Sequence, residues 1–175
     1  MIGVTENLAL ISDLLHQAAI EAGRRPSDVR LLAVSKKQPL EKIREAAAAG
    51  QRDFGENFVQ EGVEKIETLS DLDLTWHFIG HLQSNKAKYV VKIFDLIHSV
   101  DSLKLAAELD RQAAKVGKTQ RVLVQVNVSG EASKSGTTEA EAIRLVEEIG
   151  KLAHLSVEGL MTMPPFFDQP EKARP

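Results

Sequence analysis

At 175 residues the chain has the length of one domain and enough material to bury a hydrophobic core. A formal charge of −3 gives no general attraction to nucleic acid or to an anionic membrane, and 43% hydrophobic with 27% charged residues is ordinary for a globular protein. The absence of cysteine excludes disulfides, thiolate metal sites and a cysteine nucleophile, and fits a reducing compartment. The first residues, "MIGVTENLALISDLLHQ", carry no basic leader, and no apolar run reaches the length of a bilayer. A cytoplasmic protein without a membrane partner is expected.

Residues 5–22 place Leu8, Ile11, Leu14, Leu15, Ala18 and Ala19 at helical spacing, with Thr5 as the expected cap and Gly23 as the stop. "VRLLAVS", residues 29–35, predicts a strand. A helix follows over 39–49, with Pro39 in its first turn and Gly50 just past its end. "RDFGEN" reads as a short strand and turn, 58–69 as a helix, "LTWHFIG" as a strand and 84–94 as a helix. "DLIHSVD" predicts a strand, and 102–117 an amphipathic helix stopped by Gly117. "RVLVQVNVS" is the clearest strand; Thr138 and Glu141 then open a helix at capping-box spacing. "SVEGLMTM" is the last strand, before the loop-like "PPFFDQPEKARP".

Strict alternation of strand and helix predicts an α/β fold with a parallel sheet, because each parallel crossover needs a helix. A doubly wound nucleotide-binding sheet favours a glycine fingerprint after the first strand. "SKKQPLEK" stands there without glycine, so a TIM (β/α)8-type barrel is preferred. Such a barrel needs eight units and roughly 200 residues or more. Only about six βα units are legible, so 1–175 is expected to be a single barrel domain truncated at its C-terminus.

In an extended strand Leu32, Val34 and Lys36 share one face. Pointing into a barrel, they put Lys36 at the carboxyl end of the strand, where barrel enzymes keep their chemistry. An amine held over apolar walls is desolvated toward its neutral, nucleophilic form, which attacks an aldehyde to give a Schiff base. The alternative is an ordinary solvated lysine. Asn57, Gln83, Asn85, Asp101, Asn127, Lys134, Met161 and Met163 follow other strands and, in a parallel fold, ring the same mouth. His77 and His81 are four apart but fall in a strand and beyond it, so no metal site is expected. No serine–histidine–acid set assembles, and no catalytic residue is assigned.

The motifs "LLAVSKKQP", "DFGENFVQEG", "WHFIGHLQSNK", "LIHSVDS", "VLVQVNVSGEASKSG" and "VEGLMTMPP" run in order over nearly the whole chain. With them the sequence closely resembles the pyridoxal 5'-phosphate (PLP) homeostasis proteins, the YggS/PROSC-like family. The resemblance implies a barrel like the N-terminal domain of alanine racemase. It implies PLP held as a Schiff base by the lysine of "AVSK", which is Lys36. It implies Asn57 near the ring, Lys134 near the ring hydroxyl, and Met161 or Met163 against the ring face. The family continues past "MTMPP" with two further strands whose segments cradle the phosphate and place an arginine at the pyridine nitrogen. The implied function is intracellular vitamin B6 homeostasis without established turnover, with PLP-dependent apoenzymes as partners. A PLP-dependent amino-acid racemase is the alternative. Racemisation needs a base on each face of the substrate carbon. In alanine racemase the second base is a tyrosine from another domain, whereas Tyr89, the one tyrosine here, falls in a predicted helix.

Overall fold

The computed structural model describes residues 3–131, 135–165 and 167–173. Among them, helices and strands alternate as α1 (Val4–Glu21), β1 (Ala33–Val34), α2 (Leu40–Ala48), β2 (Asp53–Glu56), α3 (Val59–Thr68) and β3 (Thr75–Phe78). The series continues with α4 (Ala87–Ile93), β4 (Leu96–Val100), α5 (Leu103–Lys115), β5 (Gln120–Val126), α6 (Glu139–Ile149) and β6 (Leu155–Thr162). The chain divides into two compact units, Met1–His77 and Phe78–Pro175, each taken by itself below.

In the first unit β1 lies parallel to β2, with Ala33 opposite Phe54 and Val34 opposite Gly55. Phe54 is buried and meets the Trp76 ring at 5.6 Å between centroids; Ile43, Ala46 and Ala47 of α2 are buried too. The first strand is shorter than the seven residues its sequence predicts. Ahead of Ala33 the backbone is satisfied by a side chain instead of a ladder: the Gln51 amide donates to the Leu31 carbonyl at 2.9 Å.

Helix α1 also departs from expectation. Its cap is Gly3, whose amide donates to Glu6 at 2.8 Å, while Val4 and Thr5 donate their own amides to Glu45 of α2. That attachment turns the stripe Val4, Leu8, Ser12, Leu15 and Ala19 inward. Leu10, Ile11 and Leu14 remain exposed, one face over from the stripe their spacing suggested.

In the second unit β4, β5 and β6 are parallel neighbours, with Leu96 opposite Arg121 and Gln120 opposite Leu155. Val122 and Val124 are fully buried, as are Ala106, Leu109 and Ala113 of α5 and Ile149 of α6. The long apolar runs of these strands therefore have helical cover. Lys118 closes α4 by donating to the carbonyls of Val91 and Phe94 at 3.1 and 2.6 Å, satisfying orphan acceptors at a helix end. Burial pushes its ammonium below the usual lysine range, against the pull of Asp95. Phe94 itself is fully buried and edge-on to Phe78, with centroids 5.3 Å apart. Phe94→Ala is expected to destabilise the protein by about 3–5 kcal/mol, read as a lowered midpoint in urea at an unchanged slope.

Candidate functional site

The site begins with alternation along β1. Ser35 is buried, whereas Val34 and Lys36 are exposed, so the latter two share a face as alternation predicts, but an open one and not the apolar interior expected. Val34, expected as part of an apolar wall beneath the Lys36 amine, is 48% exposed. The Ser35 amide donates to Gly55 O at 3.0 Å, extending the ladder by one bond. Continuing the register, Lys36 and Asn57 stand at the carboxyl ends of adjacent strands.

Immediately after Lys36 the chain turns. The Gln38 amide returns to Ser35 O at 3.0 Å, and Lys37 at φ 58° is the one non-glycine with positive φ among the described residues. A non-positive φ at the second residue and a positive one at the third is the type II pattern, which favours glycine at the position Lys37 holds. A buried charge network braces the turn. Lys65 of α3 gives its three donors to Ser35 O, Glu56 Oε1 and Glu61 Oε1 at 2.6, 2.7 and 2.6 Å. The Ser35 hydroxyl donates to Glu56 Oε1 at 2.7 Å, and the Lys37 amide to Glu61 Oε1 at 2.5 Å. Burial pushes the Glu61 carboxyl up, but the hydrogen bonds from Lys65 and the Lys37 amide outweigh it and hold it below the usual range.

Glu61 and Lys65 were not among the sequence candidates. The legible signal is their i,i+4 spacing within "NFVQEGVEK", the acid N-terminal to the base. Nothing in the sequence alone tells such a pair from a solvated one.

Asn57 is half-buried, and its Oδ1 is buried with no hydrogen-bond partner among the described residues. An exposed amine and an unsatisfied acceptor at the ends of adjacent strands are groups that an aldehyde-bearing cofactor can use. The amine supplies the nucleophile, and Asn57 a polar contact that a buried amide needs.

In the second unit Met161 lies in β6 opposite Gln125, and Met163 follows the strand, 49% exposed. Lys134 falls outside the described residues. The His81 ring and the Ser135 hydroxyl share a 3.1 Å hydrogen bond, tying the loop after β3 to the chain just ahead of Gly136. The Asn127 amide donates to Glu131 O, and the Ser129 hydroxyl donates to Asn127 Oδ1, so the loop after β5 is organised by its own side chains. Ser99 is buried at the end of β4, its hydroxyl without a partner among the described residues. No group of three or more histidines and acids could hold a metal ion among the described residues, and none of their helices is long and apolar enough to cross a membrane.

Parallel strands alternating with helices, and a lysine at the carboxyl end of the first strand, define a β/α domain of the TIM (β/α)8 type suited to a carbonyl cofactor. The model of the alanine racemase N-terminal domain matches residues 12–174. The alanine racemase of Clostridium difficile 630 shares the fold at a TM-score of 0.66 and 18% identity, over 77% of this chain and 36% of that one. The pyridoxal phosphate homeostasis protein of Vibrio alginolyticus is 46% identical over 168 residues, 94% of this chain and 72% of that protein. PipY of Synechococcus elongatus, solved with PLP bound, is 43% identical with a TM-score of 0.75, over 87% of this chain and 71% of that one. The chain belongs to the alanine racemase N-terminal domain family and, within it, to the pyridoxal phosphate homeostasis proteins.

Proposed function

We propose that this protein holds PLP through a Schiff base to Lys36 and serves intracellular PLP homeostasis without turnover. The observation that carries the reading is the position of Lys36: exposed, at the carboxyl end of β1, on a turn braced by buried charge. When PLP is present, its aldehyde supplies an electrophilic carbon; condensation forms a C=N bond to the lysine nitrogen and releases the aldehyde oxygen as water. Asn57 offers the ring a buried acceptor. Met161 and Met163 are the proposed ring-face contacts, and Lys134 the proposed partner of the ring hydroxyl. Residues 1–175 act as one PLP-binding domain in this reading, working in the cytoplasm and passing cofactor to PLP-dependent apoenzymes.

Absence of turnover is supported by the surroundings of the one tyrosine. Tyr89 lies on α4, with the Lys88 ammonium 4.7 Å from its ring centroid. Racemisation needs a second base opposite the lysine, and the one tyrosine of the chain is committed to a helix. The test combines two measurements on one sample. Added PLP is expected to give a violet absorption band and a borohydride-stable adduct. L-alanine in D2O is expected to show no deuterium at Cα. Rapid exchange would instead establish the racemase, and a missing band would remove PLP binding altogether.

A further inference from the structure

We infer that Glu61, held by the buried Lys65–Glu56 pair, is a positioning residue for Lys36: it keeps Lys37 in the left-handed conformation and so fixes the turn on which the Lys36 amine is presented. The inference rests on the PLP reading above and adds to it the group that prepares the lysine.

A lysine at φ 58° is strained, since its Cβ crowds the carbonyl in the left-handed region. Strain of this kind persists only where the surroundings over-determine the backbone. Here the determinants flank Lys36 on both sides. Before it, Ser35 gives its carbonyl to Lys65 and its hydroxyl to Glu56. After it, Lys37 gives its amide to Glu61. Because Lys65 also holds Glu61 at 2.6 Å, the carboxylate that grips the Lys37 amide is itself anchored.

The burial gradient shows where the anchor lies. The Glu56 side chain is 0% exposed, that of Lys65 7% and that of Glu61 25%. A buried ion pair contributes uncertain net stability, but removing one partner leaves an uncompensated charge. The pair is thus a fixed base, and Glu61 is the arm that reaches the turn. A network built only to stabilise α3 has no need to reach the backbone on either side of an exposed lysine.

The test uses Glu61→Ala, a partly exposed position where Lys65 keeps Glu56 as its partner and the protein is expected to fold, and Lys37→Gly in that background, because glycine takes positive φ without strain. In unloaded protein, hydrogen exchange at the residue 37 amide is expected to quicken at least tenfold in Glu61→Ala. On adding PLP, the dissociation constant is expected to rise about tenfold while the borohydride adduct still maps to Lys36. The double variant Glu61→Ala/Lys37→Gly is expected to return PLP affinity to within about twofold of the wild type, although the amide remains unprotected. Loss of general stability would not be repaired in this way. Unchanged affinity in Glu61→Ala, or a loss that Lys37→Gly fails to restore, overturns the positioning role and leaves PLP binding intact. A wild-type protein with no adduct on Lys36 overturns the PLP reading itself, and the positioning role with it.

Discussion

Lys36→Ala is expected to abolish the borohydride-stable PLP adduct completely while leaving the protein folded. The substituted side chain is exposed and enters none of the bonds that brace its turn, which are made by Ser35, Lys37, Glu56, Glu61 and Lys65. The change in stability should stay within about 0.5 kcal/mol, as for other surface substitutions. Lys36→Arg sharpens the experiment. It keeps the positive charge that attracts a phosphate, but the guanidinium stays protonated and cannot condense with an aldehyde. Weak, reversible PLP binding without adduct is expected for Lys36→Arg. The measurement is the mass of the borohydride-treated protein and the peptide that carries it. Undiminished trapping in Lys36→Ala would transfer the covalent role to another lysine, with Lys37 the first to inspect.

Gly136→Ala is the second change of large expected effect, and it acts through backbone. Gly136 has φ 130°, and a Cβ there would stand 2.6 Å from Asn127 N and 3.0 Å from Val126 C. Neither atom belongs to a side chain that can swing away. The surrounding bonds show what would be displaced: the Asn127 amide donates to Thr137 O and the Thr137 amide to Gln125 O, both at 2.9 Å. These bonds hold Thr137, next to Gly136, against the end of β5. An added methyl must break them or move the strand end, at a cost of about 3 kcal/mol from overpacking and backbone strain together. A lowered urea midpoint is expected, with the first unit's Lys36 turn unaffected in amide exchange. A midpoint unchanged from the wild type would show that this segment yields without resistance.

Much of the architecture was legible because it follows from periodicity. The alternation of "RVLVQVNVS" with helical stretches names a parallel fold, and the Thr138–Glu141 spacing marks a helix start that both side chains confirm, Thr138 accepting from the Glu141 amide at 3.3 Å. The face that Lys36 shares with Val34 was legible for the same reason, whereas its exposure was not, since the predicted barrel turns that face inward. What sequence could not supply was tertiary choice. Ile11 and Leu14 look as fit for burial as Leu8, and only the bonds from the start of α1 to Glu45 decide which stripe turns inward. The bracing network was hidden for a related reason. A glutamate and a lysine four apart on a helix are usually solvated; burial of Lys65 depends on Ser35 and Glu56 arriving from two strands.

Only two rungs of ladder join the first strand to the second, whereas the fifth strand is hydrogen-bonded along seven residues to its neighbour. Local opening free energies follow such differences, from near zero at sparsely bonded segments up to the global value in the core. Lys36 thus stands at the end of a sparsely bonded strand, a segment that opens at low cost. Under the proposed attachment of PLP to Lys36, such local opening would give the cofactor a way out at its point of attachment.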